Sequence, residues 1–174
     1  MEKRLSLLFG LLIGAMWIGE VLLGNLGGTA VLGNLRDAHP RIYALAPVFA
    51  LAAVGITLFG GMVASYRTNS IPAALRVGVW SGLLSGTITL GTILAITLLF
   101  HSTMMGDPAN LREFARGAHR LPSTAELSRF FYTDALGGGL NHLWIGPFLG
   151  VTVGAVGALF GKWQRQSELQ GSMH

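Results

Sequence analysis

Residues 77–100 read VGVWSGLLSGTITLGTILAITLLF and contain no charged side chain. As a helix, this stretch would extend about 36 Å, because each helical residue adds 1.5 Å. That length is sufficient to cross the hydrocarbon core of a bilayer, which is roughly 30 Å thick. An uncharged, apolar run of this length is typical of a transmembrane helix. The stretch therefore predicts a membrane span.

Three other apolar stretches of spanning length lie at residues 5–26, 42–65 and 140–160, and the one charged residue within them is Glu20. Hydrophobic residues form 51% and charged residues 11% of the 174 positions. An ordinary soluble domain carries about 25% charged residues, so this chain has too few charges to build a soluble surface. The charges that are present gather between the apolar stretches. We predict an all-α integral membrane protein, a single domain of four transmembrane helices over residues 1–174.

The composition also excludes or disfavours several classes of function. Cysteine is absent, which excludes disulfides, a thiolate nucleophile and a cysteine-ligated metal site. The sequence has no phosphate-binding glycine loop with its lysine, no HExxH pattern and no nucleophile elbow, so an enzyme is not favoured. The net charge of +4 is accounted for by basic residues that flank the spans. Nucleic acid is therefore not an expected partner.

The distribution of basic residues predicts the orientation of the chain. The N-terminus, the second loop and the C-terminus share one side of the membrane, where basic residues stand close to the span ends: Lys3, Arg4, Arg67, Arg76, Lys162 and Arg165. The opposite side carries as many basic residues, but they are spread over longer loops and offset by acidic ones. Dense basic residues beside span ends mark the cytoplasmic side. We predict that both termini are cytoplasmic and that the protein lies in a plasma (bacterial inner) membrane.

The loop over residues 101–139 is long enough to have structure of its own. Asp107 and Pro108 have the pattern of an N-cap followed by a first-turn proline, which predicts a short helix over residues 108–116. Such a helix is expected to lie in the membrane interface, with its apolar side chains toward the acyl chains.

A second helix is predicted at the end of the same loop. Ser123 and Glu126 have the spacing of a capping box and precede an apolar run. The helix is expected to end at the three consecutive glycines, residues 137–139. The loop is then either a connector lying on the surface or a lid hinged at these glycines.

Small residues lie on one face of each later span, when the helix is drawn at roughly 100° per residue. The predicted helix-packing residues are Gly78, Gly82, Gly86, Gly146, Gly150, Gly154 and Gly157. Lipid gives helices no hydrophobic reason to associate, so close approach of backbones at small residues supplies the packing energy. The pattern leaves open whether these faces meet within one chain or between copies. Pro147, inside the fourth span, is expected to bend it.

Four polar residues form a candidate site. Glu20 is the acidic residue inside an apolar stretch, and ionisable groups within membranes are costly and often functional. Residues counted inward from the predicted span ends place Glu20, His101, Asn141 and His142 at similar depth. We therefore predict that these four side chains can converge beneath the long loop.

Three interpretations of this cluster remain open from the sequence. Glu20 could hydrogen-bond His142 or Asn141 and lock the helices together. The carboxylate and the histidines could form a proton-linked or ion-linked site in a transport path. Two histidines and a carboxylate could also ligate zinc, copper or haem iron, although their spacing matches no metal motif.

The functional expectation follows from these features. The chain has packed helices, one carboxylate inside a span and a lid-like loop. We therefore expect a small non-enzymatic membrane protein that is an oligomeric transporter or channel-like component for an ion or small solute. The alternative is an accessory subunit of a larger membrane complex, of the kind that carries haem or a quinone. The expected partners are the lipid bilayer and either further copies of the chain or other membrane subunits. The sequence identifies no cofactor.

Overall fold

The computed structural model describes residues 1–26, 39–106, 111, 114–115 and 122–172. Throughout this part of the chain the regular structure is helical, without strands. The helices are α1 (Glu2–Leu26), α2 (His39–Thr68), α3 (Ile71–Leu99), α4 (His101–Met105) and α5 (Thr124–Gly171). Of these, α1, α2, α3 and α5 are long and apolar enough to cross a membrane. The predicted all-α bundle of four membrane helices is confirmed.

The turn between α2 and α3 shows how local sequence reverses the chain. Asn69 has a φ of 53°, in the left-handed region that asparagine tolerates better than most residues. Ser70 follows as the N-cap, and its Oγ accepts a hydrogen bond of 3.3 Å from the Ala73 amide. Pro72 stands in the first turn, where a missing N–H costs nothing. With only two residues between them, α2 and α3 are antiparallel neighbours.

The start of α5 agrees with the capping-box prediction. The Ser123 Oγ accepts from the Glu126 amide at 3.3 Å, and the Glu126 carboxylate accepts from the Ser123 amide at 2.9 Å. The predicted end of this helix is wrong, because α5 continues through the glycines at 137–139 and through Pro147. Its 48 residues make a helix about 72 Å long.

The environment explains why these glycines do not stop the helix. Three glycines cost roughly 1 kcal/mol each relative to alanine in water. In a membrane, an interrupted helix would leave backbone N–H and C=O groups without partners, at several kcal/mol each. A lid hinged at residues 137–139 is therefore not a feature of this structure. The helix predicted over residues 108–116 lies largely outside the described residues.

Helix α3 contacts each of the other three membrane helices. It packs along α5 on one side and along α1 on the other, while α2 lies against both α1 and α5 and also contacts α3. Around the bundle the order is thus α1, α3, α5, α2. Leu84 and Ile88 of α3 lie against Gly10 and Gly14 of α1, where an added Cβ would come within 2.8 and 2.9 Å of them.

The contact between α3 and α5 is made by backbone against backbone. A Cβ at Gly78 would collide with the backbone of Gly150, and a Cβ at Gly82 would collide with Gly146. At Gly86 it would lie 2.6 Å from the carbonyl oxygen of His142. On the other side of α5, Gly157 meets the backbone of α2 at Leu58 in the same way. These small faces meet within one chain.

Gly154 differs from the other predicted packing residues. A Cβ at Gly154 itself would meet nothing within 4 Å, whereas a Cβ at Gly61 of α2 would collide with the Gly154 backbone. Gly154 therefore offers its backbone to α2 while its own Cβ position points into open space. A side chain at Gly154 is accommodated more easily than the sequence pattern predicts.

Both ends of the chain lie at the same end of the bundle, which we call the terminal end. There the Arg76 guanidinium of α3 pairs with the Glu2 carboxylate of α1 at 2.9 Å. The Tyr66 hydroxyl of α2 donates to the Glu168 carboxylate of α5 at 2.6 Å, and Arg165 donates to the Tyr66 carbonyl at 3.0 Å. The opposite end, which holds α4 and the start of α5, is the loop end.

The outer surface of the bundle is apolar. Large hydrophobic side chains are widely exposed along the spans, and they include Leu51, Trp80, Leu98, Trp144, Phe148 and Phe160. Contiguous exposure on this scale is unusual for a soluble protein but is the surface that a lipid bilayer solvates. The buried interior combines small residues such as Ala53, Ala64 and Ser85 with larger side chains such as Phe9. The protein is therefore membrane-embedded.

Alanine at Gly82 or Gly150 should destabilise the bundle, because the added methyl group would push two backbones apart. Overpacking of this kind costs about 1–3 kcal/mol, which for a chain of this length lowers the melting temperature by about 2–4 °C per kcal/mol. Thermal unfolding of the purified protein in detergent, followed by tryptophan fluorescence, measures the effect. Gly91→Ala and Gly154→Ala are the matched controls, since both Cβ positions are open. Equal melting temperatures for Gly82→Ala and Gly91→Ala would contradict the assigned interface.

Candidate functional site

Glu20 is the acidic residue in the interior of the α1 span, near its loop end. Its side chain is half-buried, and no described residue donates a hydrogen bond to it or forms an ion pair with it. Holding a carboxylate in this environment without a partner is costly, because desolvation is not offset by hydrogen bonds. Glu20 is thus a group whose position within the membrane is not explained by any contact to the described part of the chain.

Trp17 lies one turn from Glu20 on the same side of α1, since residues three apart are neighbours on a helix surface. Its indole ring crosses to α5, where its centroid lies 4.8 Å from that of the His142 imidazole at an interplanar angle of 60°. This contact joins α1 to α5, which lie on opposite sides of α3 and share few other contacts. Trp17 and His142 therefore close the space between the two helices.

Beneath this ring contact is a narrow cleft between all four spans. Its walls include Ile13, Ala53, Thr57, Ser85 and Ile145, together with Trp17 and His142. The free volume is about 10 Å³, close to the space of one water molecule. The Thr57 and Ser85 hydroxyls donate to carbonyls of their own helices, at 2.7 Å to Ala53 and 3.0 Å to Gly82. The cleft is thus tightly closed, with its hydroxyl protons already used.

The helix register explains why Glu20 and His142 do not meet. Along α3, the glycine contacts place His142 beside Gly86. The contacts of α1 with α3 pair Glu2 with Arg76 and Gly10 with Leu84, and the same register places Glu20 near Leu94. Gly86 and Leu94 are eight residues apart, or about 12 Å along the helix. Trp17 lies three residues closer than Glu20 to the start of α1, and helical side chains point toward the start of their helix, so the Trp17 ring reaches the depth of His142. The shorter Glu20 side chain begins farther from that depth and does not reach it.

His101 lies still farther toward the loop end. It begins α4, beyond the end of α3, and so is about 20 Å from the depth of Gly86. Its Nε2 is 3.1 Å from the Ser128 hydroxyl of α5, and its ring stacks on Tyr132 with centroids 5.2 Å apart. Its Nδ1 is buried and has no hydrogen-bond partner among the described residues. His101 thus belongs to the packing of α4 on α5.

The structure therefore places Glu20, His101 and the adjacent pair Asn141 and His142 at three different depths. His142 contacts Trp17, His101 contacts Ser128 and Tyr132, Asn141 is exposed, and the expected hydrogen bond from Glu20 to His142 or Asn141 is not formed. The physical reason is the continuity of α5: because the helix does not end at residues 137–139, residue 140 does not mark the membrane surface. The sequence prediction counts depth from residue 140 as the membrane surface, and it therefore places His142 too close to the loop end.

In the described ranges, no three His, Asp or Glu side chains lie close enough together to hold a metal ion, so the metal interpretation has no ligand set there. Trp17 is not among the residues that the sequence predicts for the site. Its spacing of three residues from Glu20 is the available signal, but only the tertiary contact with His142 distinguishes it from a lipid-facing tryptophan.

A double-mutant cycle separates these contacts. Trp17→Leu and His142→Ala should be non-additive by about 0.5–1.5 kcal/mol, the scale of aromatic pair interactions. Glu20→Gln and His142→Ala should be additive within about 0.3–0.5 kcal/mol, because the two side chains lie at different depths. The free energy of unfolding in mixed micelles is the quantity to measure. Strong coupling of Glu20 to His142 would contradict the register of α1 and α5 along α3.

Comparison of the chain with protein-family models, with curated proteins and with solved structures finds no match. The chemistry that the site can perform follows from its own residues. Glu20 can bind a proton or a cation, Trp17 offers an aromatic face to a cation, and His142 can donate or accept a proton. These three groups lie in order from the loop end toward the centre of the bundle.

Proposed function

We propose that this protein is a small non-enzymatic membrane transport component that binds a proton or a small cation at Glu20. The observation that carries the proposal is the half-buried Glu20 carboxylate, inside a span and without a partner among the described residues. Ionisable residues inside membrane spans are rare and costly, and they commonly mark ion and proton pathways. A site for a proton or cation gives this costly group a role.

The Trp17–His142 contact supports transport through a change of conformation rather than through an open pore. A cleft of about 10 Å³ admits no more than a water-sized body. A solute bound at Glu20 would therefore advance only if the two rings separated. This contact is the one that movement between α1 and α5 would break, since these two helices share few others. In this proposal the rings act as a gate at the centre of the bundle.

The proposal extends to assembly and location. A path could also form between copies, because broad apolar faces of α2 and α5 are not covered within one chain. We propose a homo-oligomer in a plasma (bacterial inner) membrane with both termini cytoplasmic. The support for this orientation is the position of Lys3, Arg67, Arg76 and Lys162 close to the span ends at the terminal end.

Charge movement in reconstituted liposomes tests the transport role. Currents on a solid-supported membrane would be recorded after jumps in pH, Na⁺, K⁺ or tetraphenylphosphonium. We expect a current from the native protein for at least one jump, and at least a tenfold loss in Glu20→Gln, because glutamine cannot take up the charge. Asp134→Asn is the matched control, since Asp134 is an exposed carboxylate of α5 that does not line the cleft.

Two results would count against this function. The absence of current from the native protein in every jump would remove the transport role, and an unchanged current in Glu20→Gln would remove the role of this carboxylate. Purification with a stoichiometric partner subunit, or with the absorption band of haem, would favour the accessory subunit of a larger complex instead.

A further inference from the structure

A groove separates α1 from α3 on the outer surface of the terminal end. It has a volume of about 480 Å³ and is independent of the cleft below Trp17. Its charged residues are Glu2, Lys3 and Arg76, and its apolar walls are formed by Leu7, Trp80 and Leu84. The groove lies at the basic ends of these two spans. A molecule bound there contacts water at one end and hydrocarbon at the other.

The charged mouth has an excess of positive charge. Arg76 binds both oxygens of Glu2 through Nε at 3.0 Å and Nη2 at 2.9 Å. This geometry leaves the two N–H groups of Nη1 free of described partners, and Lys3 likewise has no described ion-pair partner. Two cations against one carboxylate give the mouth a net charge of +1. Its complement is an anionic group that accepts several hydrogen bonds.

The wall of the groove changes from polar to apolar with depth. Eight residues separate Arg76 from Leu84, or about 12 Å along α3. Trp80 stands between them and is 62% exposed, and an exposed tryptophan near the basic end of a span is typical of a membrane interface. Leu84 packs closely on Gly10 of α1 and Leu7 is exposed, so the floor is apolar. A molecule that fits this order has an anionic head and a hydrocarbon tail.

We propose that this groove binds one anionic phospholipid. The phosphate lies at Lys3 and Arg76 Nη1, the glycerol lies beside Trp80, and an acyl chain runs along Leu7 and Leu84. Basic pockets between membrane helices bind anionic headgroups in this manner. The lipid joins α1 to α3, and so adds to the Glu2–Arg76 pair that links the same two helices.

Native mass spectrometry of the purified protein, with phosphatidylglycerol or phosphatidylcholine added to the detergent, tests this site. We expect one phosphatidylglycerol retained at least fivefold more than phosphatidylcholine. Lys3→Gln should remove most of that preference. Arg4→Gln should retain it, because Arg4 is adjacent and exposed but does not line the groove.

A second pair of variants tests the apolar wall. Trp80→Ala should weaken lipid retention, whereas Trp163→Ala should not, since Trp163 is similarly exposed at the terminal end but lies on α5. Equal retention of the two lipids, or equal effects of Lys3→Gln and Arg4→Gln, would overturn the proposal. Displacement of the lipid by millimolar inorganic phosphate would show that the mouth recognises free phosphate and would also overturn it.

Discussion

The direct contact between the backbones of α3 and α5 constrains the rest of the molecule. At Gly78, Gly82 and Gly86 no side chain can stand between the helices, so α5 can slide along α3 only by losing these contacts. Lipid supplies no hydrophobic pressure to hold membrane helices together, and dispersion contacts at short range must do so. Such contacts fade steeply with distance. The interface therefore fixes the register of α5 as well as its proximity.

That register determines the polar chemistry of the bundle. It places His142 at the depth of Gly86, where the imidazole meets Trp17 instead of Glu20. The hydroxyl groups inside the bundle have little freedom to form a different site, because Thr57, Ser85 and Thr89 each donate to a carbonyl one turn earlier in their own helix. This local bonding satisfies these three hydroxyls within their own helices. The Ser81 hydroxyl of α3 also lies 3.2 Å from the Ser6 carbonyl oxygen of α1 and so links these two helices. None of these hydroxyls donates to the Glu20 carboxylate. The proposed transport role depends on this carboxylate having no partner among the described residues.

The two ends of the bundle differ in how they are held. At the terminal end, charged and polar side chains link α1 to α3 and α2 to α5, as in the pairs of Glu2 with Arg76 and Tyr66 with Glu168. At the loop end, a buried apolar cluster joins α4 to the start of α5, with Ile96, Met104 and Phe131 among its members. The polar links lie where water and headgroups are available, and they leave room for lipid between helices. The apolar cluster lies beside His101, whose ring contacts that of Phe131.

The sequence by itself determined the class of the protein and the start of its helices. Charge-free apolar runs as long as residues 77–100 cross a bilayer as helices, which satisfy their backbone groups within the segment, since a membrane-spanning strand has only about 9–11 residues. The capping box at Ser123 and Glu126 likewise depends only on neighbours in the chain, and the structure confirms both predictions. Only the tertiary structure decided that α5 runs through residues 137–139, that Gly154 has an open Cβ position, and that Trp17 stands against His142. These features depend on how far one helix is shifted along another. A sequence gives the face of each helix through its periodicity, but the shift arises from short-range fit between helices distant in the chain.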